Sequence, residues 1–233
     1  MSVAIPTFES KLVPDNNTSD VRPCATLLQR ASRVWGVNEF LKPIRSHATV
    51  KGTDIENDAN TLHATIRSNT LVLWNLHCCA HDQIFAYDYL WVTTQDRTAQ
   101  QIRNLKNLNR LSFAAMSNFC LEWMLKDIVV RFDEEPCRSF YRLAMQAVQI
   151  TGLSSNGRHL EALTVVSKIR NTLHNRGCYH GPSRRFELEG VCYEFGNGEI
   201  VKGCASWDHV AHGLACALKS IRFIIDRVPA SPH

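Results

Sequence analysis

The longest apolar repeat in the chain runs from Arg97 to Arg131. Leu105, Leu108, Leu111, Ala115, Phe119, Met124, Ile128 and Phe132 follow a helical period there. A stripe of that length must bury itself against other elements. Asp133-Glu134-Glu135-Pro136 ends it, because proline has no N–H to continue the ladder. The repeat therefore commits the chain to a bundle of helices. The 233 residues, 45% of them hydrophobic and 21% charged, are enough for one sizeable core without disulfide staples.

The flanking segments agree with that architecture. Residues 1–18 carry Pro6, Pro14, Asn16 and Asn17 and no period, which predicts an irregular arm. Asp20 to Arg45 predicts one or two short helices, with Leu27, Leu28, Ala31, Val34 and Trp35 on one face and Pro43 as the stop. From Ile55 to about Asp88 the pattern is helical again, through Leu62, Ile66, Leu73, Leu76 and Ile84. Thr93-Thr94-Gln95-Asp96 is a polar break. Further helices are predicted at about 137–151 and 158–175, separated by a Ser/Asn/Gly loop.

The period changes at Ser183. Phe186 and Leu188, then Val191, Tyr193 and Phe195, alternate with Glu187, Glu189 and Glu194. Gly196-Asn197-Gly198 is the expected turn of a β-hairpin over about 184–203, since Asn and Gly tolerate positive φ. Ser206 is placed to cap a last helix that Pro229 ends. The expected domain plan is an arm at 1–18, a helical extension at 19–95, a bundle with hairpin at 96–228 and a tail at 229–233.

The stretch richest in chemistry is Arg170-Asn171-Thr172-Leu173-His174-Asn175-Arg176-Gly177. Arg170 and His174 stand one helical turn apart on one face. Ala162, Val165, Val166, Ile169 and Leu173 form the apolar stripe, and the pair lies on its flank. Arginine offers a planar, permanently charged fork to phosphate, and histidine moves protons near neutrality. Metal-free RNA cleavage requires those two roles. The plainer reading makes Arg170 a cap for nearby carbonyls and His174 a C-terminal residue favoured by the helix dipole.

That string resembles the signature of the HEPN superfamily, and the order of motif, aromatic hairpin and closing helix is similar to that of bacterial HEPN-like proteins. The likeness covers about residues 95–228 in architecture and is specific across about eight residues of motif. It implies an all-α, HEPN-like helical bundle with an inserted β-hairpin near the C-terminus. It further implies a metal-independent endoribonuclease of a bacterial defence or toxin–antitoxin type system, with two copies facing each other across one cleft. Carried over, Arg170 would bind the scissile phosphate, Asn171 would orient the site and His174 would be the acid or base. RNA, a second copy of the chain and an antitoxin or regulatory protein are the implied partners. The interval between Arg170 and His174 is shorter than in the usual motif, and many HEPN domains are non-catalytic binding modules.

The formal net charge is +4, too weak to imply nucleic acid alone. It concentrates, however. Arg158, Lys168, Arg170, Arg176, Arg184 and Arg185 face one acid, Glu161, between 158 and 185. Arg97, Arg103, Lys106 and Arg110 form an acid-free run. Arg158, Lys168, Arg176, Arg184 and Arg185 are the candidate RNA contacts. The alternative is a solvated face balanced by acids elsewhere.

No metal or other cofactor is expected. His77-Cys78-Cys79-Ala80-His81 places two histidines one turn apart without a spaced Cys-x-x-Cys partner, so burial is the preferred reading. Cys120, Cys137, Cys192, Cys204 and Cys216 read as small buried hydrophobes. The hairpin aromatics Phe186, Tyr193 and Phe195 are expected to hold the hairpin on the bundle rather than stack on bases. Nucleotide-loop, nucleophile-elbow and zincin motifs do not occur. The nine cysteines, no visible signal peptide and no long apolar run predict a cytoplasmic protein with reduced thiols and no membrane partner.

Overall fold

The computed structural model describes residues 23–91, 94–153, 157–199 and 206–228. The predicted arm at 1–18, the tail at 229–233 and Cys204 lie outside the described residues. The helices are α1 (Pro23–Gly36), α2 (Asn38–Arg45), α3 (Asp54–His81), α4 (Gln83–Leu90), α5 (Gln95–Val130), α6 (Phe140–Ile150), α7 (Arg158–His174) and α8 (Trp207–Ile225). A two-stranded antiparallel hairpin, β1 (Arg184–Leu188) and β2 (Val191–Phe195), stands between α7 and α8.

α8 is the centre of the bundle. Fifteen of its nineteen residues are buried, so it is apolar nearly all round rather than along one stripe. It packs against α7, α2, α1 and α5. The Ser206 hydroxyl caps its start by accepting from the His209 N–H. It runs antiparallel to α7: His159 meets Ser220 at 3.2 Å, and Gly213 faces Val165. A Cβ on Gly213 would lie 2.9 Å from Val165 Cγ1, so glycine is what lets the two backbones approach.

The long α5 pairs antiparallel with α3. Asn109 donates to the Asn69 carbonyl in the middle and Asp58 meets Asp127 at one end, while Gln83, opening α4 just past the other end of α3, bonds Thr98. The N-terminal helices share the same core as the rest, through Leu27, Val34, Leu41 and Ile44. Arg33 of α1 forms a nearly buried ion pair with Asp208 of α8 at 2.5 Å.

Several expectations are corrected. Pro43 does not end α2 but lies inside it. The bond it cannot make would end on the carbonyl of exposed Glu39, which water can serve. The helix expected from Ile55 to Asp88 breaks at Asp82, whose carboxylate caps α4 by accepting from the Ile84 and Phe85 N–H groups. The hairpin turn is Glu189-Gly190, both at positive φ, not Gly196-Asn197-Gly198. The latter segment folds back instead, where the Gly198 N–H donates to the Tyr179 carbonyl. Leu28, Trp35, Ile84 and Leu108, read from periodicity as core, are exposed. Cys137 is half-buried and Cys192 exposed, whereas Cys120 and Cys216 are buried as expected. Phe186, Tyr193 and Phe195 stack on one face of the hairpin, the last two fully buried.

Gly213→Ala should destabilise the fold by about 1–3 kcal/mol, the cost of overpacking a rigid neighbour. Adding Val165→Ala should recover part of the loss in denaturant unfolding. A second expectation concerns Asp58, pushed up to about 7 by burial and by Asp127 beside it. The folded state then binds that proton more tightly than the unfolded chain, so its contribution to stability is lost as pH rises from about 4 through 7. The thermal midpoint should fall between pH 5 and 8, and Asp58→Asn should flatten that fall. An unchanged profile in the variant would contradict the assignment.

Candidate functional site

α7 ends as the sequence string runs out. The Gly177 N–H, at φ +88°, donates to the Thr172 carbonyl at 2.8 Å, and Asn175 donates to Asn171. Arg176 adopts φ +57° between them. Asn175-Arg176-Gly177 is therefore a helix stop of the Schellman kind, and the polar chemistry belongs to the turn before it.

In that turn Ile169 and Thr172 point into the core, and Leu173 is packed at its margin. Arg170 leaves the stripe towards α5. Its guanidinium lies 5.5 Å from the centre of the Phe119 ring and donates to Asn171 Oδ1 at 2.8 Å. Phe119 stacks on Trp123 one turn along α5, with ring centres 6.3 Å apart, and both rings are exposed. His174 is exposed on the last turn of α7. Among the described residues no carboxylate pairs with Arg170 or His174. Half-buried Arg170 and exposed Asn171 and His174 thus share one flank, as their spacing predicts, beside two stacked aromatic rings.

The other candidate RNA contacts are dispersed. Lys168 turns to the opposite flank, donating to the Tyr179 hydroxyl at 3.1 Å and lying over that ring. Arg158 opens α7, roughly 24 Å along the axis from His174. Arg185 pairs with Glu194 on the exposed hairpin at 3.1 Å, and Arg184 is exposed beside it. Arg176 is exposed two residues after His174. On α5, Arg103 lies roughly 24 Å before Phe119 and bonds Gln100.

Phe119 and Trp123 are what sequence reasoning missed. Phe119 falls within the apolar period of α5, which predicts a core position, yet it is exposed. Its i,i+4 partner Trp123 was the available signal, since two large rings one turn apart beside polar neighbours fit a half-exposed flank.

His77 and His81 are not buried as expected. Their rings meet edge to face at 4.7 Å and line an open cavity of about 340 Å³ with Trp74, Cys78, Asp82 and Phe85. The group whose donor atoms lie close enough to share an ion is elsewhere among the described residues: Glu189, His212 and Cys216. Burial pushes His212 down to about 4 and Cys216 up to about 12. No helix among the described residues is long and apolar enough to cross a membrane.

Comparison with protein-family models, curated proteins and solved structures found no match to this chain.

Arg170→Ala and His174→Ala should each change unfolding stability by no more than about 1 kcal/mol, because His174 is exposed and half-buried Arg170 makes its contacts to exposed Phe119 and Asn171. A larger loss in either would mark it as a structural cap of α7.

Proposed function

We propose that the chain is a HEPN-like, metal-independent endoribonuclease. The observation that supports this reading is the Arg170 guanidinium spread over Phe119, with exposed His174 one turn further on. Arginine held on an aromatic face keeps its outer N–H groups for phosphate, and Trp123 offers a face for an unpaired base. Arg170 would stabilise the charge that grows on the phosphorane as the 2′-hydroxyl attacks the neighbouring phosphorus. His174 would take the hydroxyl proton or return one to the 5′-oxygen that leaves. Two copies meeting through these flanks would supply both proton-transfer roles from two histidines, in a closed pair.

The second reading is a non-catalytic RNA-binding module. It is favoured by the contacts that already hold Arg170, to Asn171 and Phe119, and by the short interval to His174.

Purified protein incubated with single-stranded RNA in EDTA should cleave it. Arg170→Ala and His174→Ala should each lower the rate at least about 100-fold, with the circular dichroism unchanged. Undiminished cleavage in both variants would refute the enzyme. Salt-sensitive binding without cleavage by the wild type would select the binding module.

A further inference from the structure

The β1–β2 turn rests on α8 at a cluster of three different donor side chains. His212 and Cys216 are four residues apart on α8 and both buried. Cys216 Sγ lies 3.7 Å from His212 Nε2. Two ligands on one tetrahedral zinc ion, with bonds of about 2.3 Å to sulfur and 2.0 Å to nitrogen, stand about 3.5 Å apart. The third donor, Glu189, comes from the turn, where its backbone takes φ +48°. Single donor atoms of the three lie within 4.8 Å of one another.

The imidazole has a second partner on its other nitrogen. The Tyr193 hydroxyl donates to the His209 carbonyl at 3.2 Å and lies 2.8 Å from His212 Nδ1. With its one proton on that carbonyl, the phenol oxygen accepts from Nδ1–H, which leaves Nε2 as the nitrogen open to an ion; Sγ lies 3.9 Å from Nδ1 as well as 3.7 Å from Nε2, so the imidazole and the thiol turn towards one another on binding. A second hydrogen bond of this kind fixes the tautomer and ring plane of histidine ligands to metals.

We propose that Glu189, His212 and Cys216 form a three-ligand site for a divalent cation of the zinc class, tying the hairpin turn to α8. Mixed sulfur, nitrogen and carboxylate donors suit zinc better than magnesium or calcium, which take oxygen. As the Sγ–metal bond forms, the thiol proton leaves to water. The fourth position is left for a water molecule. Lys219 is the competitor for the site, because its ammonium holds both Glu189 oxygens at 2.7 and 2.6 Å. It is partly exposed and lies over the Phe40 ring, so it can withdraw without leaving a buried charge behind. This site is separate from the Arg170 flank and does not rest on the RNA reading.

The test is a titration of the full chain with cobalt(II), whose tetrahedral thiolate complexes absorb in the visible and near ultraviolet. One equivalent should produce a thiolate-to-cobalt charge-transfer band that zinc(II) then abolishes. The band should survive Cys192→Ser, which removes an exposed thiol, and vanish in Cys216→Ser. Glu189→Gln, an exposed change that should not disturb folding, is expected to weaken zinc affinity at least 10-fold. Lys219→Ala is expected to strengthen it. No band at one equivalent, a band that depends on Cys192, or equal zinc affinity in wild type, Glu189→Gln and Lys219→Ala would each overturn the proposal.

Discussion

The burial of α8 is the constraint on which the rest of this structure depends. A nineteen-residue helix with fifteen buried positions needs neighbours on nearly every side, and α1, α2, α5 and α7 supply them. The small residues Ala211, Gly213, Ala215 and Ala217 let those neighbours come close. Polar ties then fix their registers. Arg33 reaches Asp208 at the start of α8, and Arg222 near its end donates to the Pro43 carbonyl. Removing one partner of the nearly buried Arg33–Asp208 pair would leave a charge without compensation, which typically costs several kcal/mol. The N-terminal helices are thereby built into the same core as the C-terminal ones.

That packing also determines what α7 can display. Val165, Val166 and Ile169 are committed to the core. The helix is stopped within one turn of His174 by the Arg176-Gly177 backbone. Arg170 and His174 are left on the flank that faces the aromatic pair of α5. The chemistry proposed for this flank follows from that position: a cation, a proton-transfer group and two flat apolar rings, with no described carboxylate paired to the cation.

Helix identity was largely legible in the sequence, and helix sidedness was not. α5, α7 and α8 follow from apolar period, Ser206 and the Gly177 stop. The period gives the phase of a stripe but not which parts of it are covered. Phe119 and Leu108 therefore read as core alongside Met124 and Ile128, although only the latter two are buried. Breaks were misplaced where a stronger signal stood near a weaker one. Gly196-Asn197-Gly198 outweighed Glu189-Gly190 as a turn, because glutamate rarely takes positive φ. Asp82 was overlooked as a cap because apolar residues continue past it. Arg170, Asn171 and His174 were legible because helical spacing alone places them on one flank. The basic residues around them were grouped by sequence proximity, and the helix and hairpin then carried Arg158, Lys168 and Arg185 to different faces. The Glu189–His212–Cys216 cluster joins residues more than twenty positions apart and needed the hairpin to be placed.

The central claim is that RNA is held where Arg170 meets the aromatic pair of α5. The most direct measurement is ultraviolet crosslinking of the wild-type chain to a single-stranded RNA oligonucleotide, followed by peptide mapping. The account predicts adducts in the tryptic peptide 111–126, which carries Phe119 and Trp123. Adducts confined to the other exposed aromatics, around Trp74, Phe85 and Trp91, would place the RNA elsewhere and contradict it.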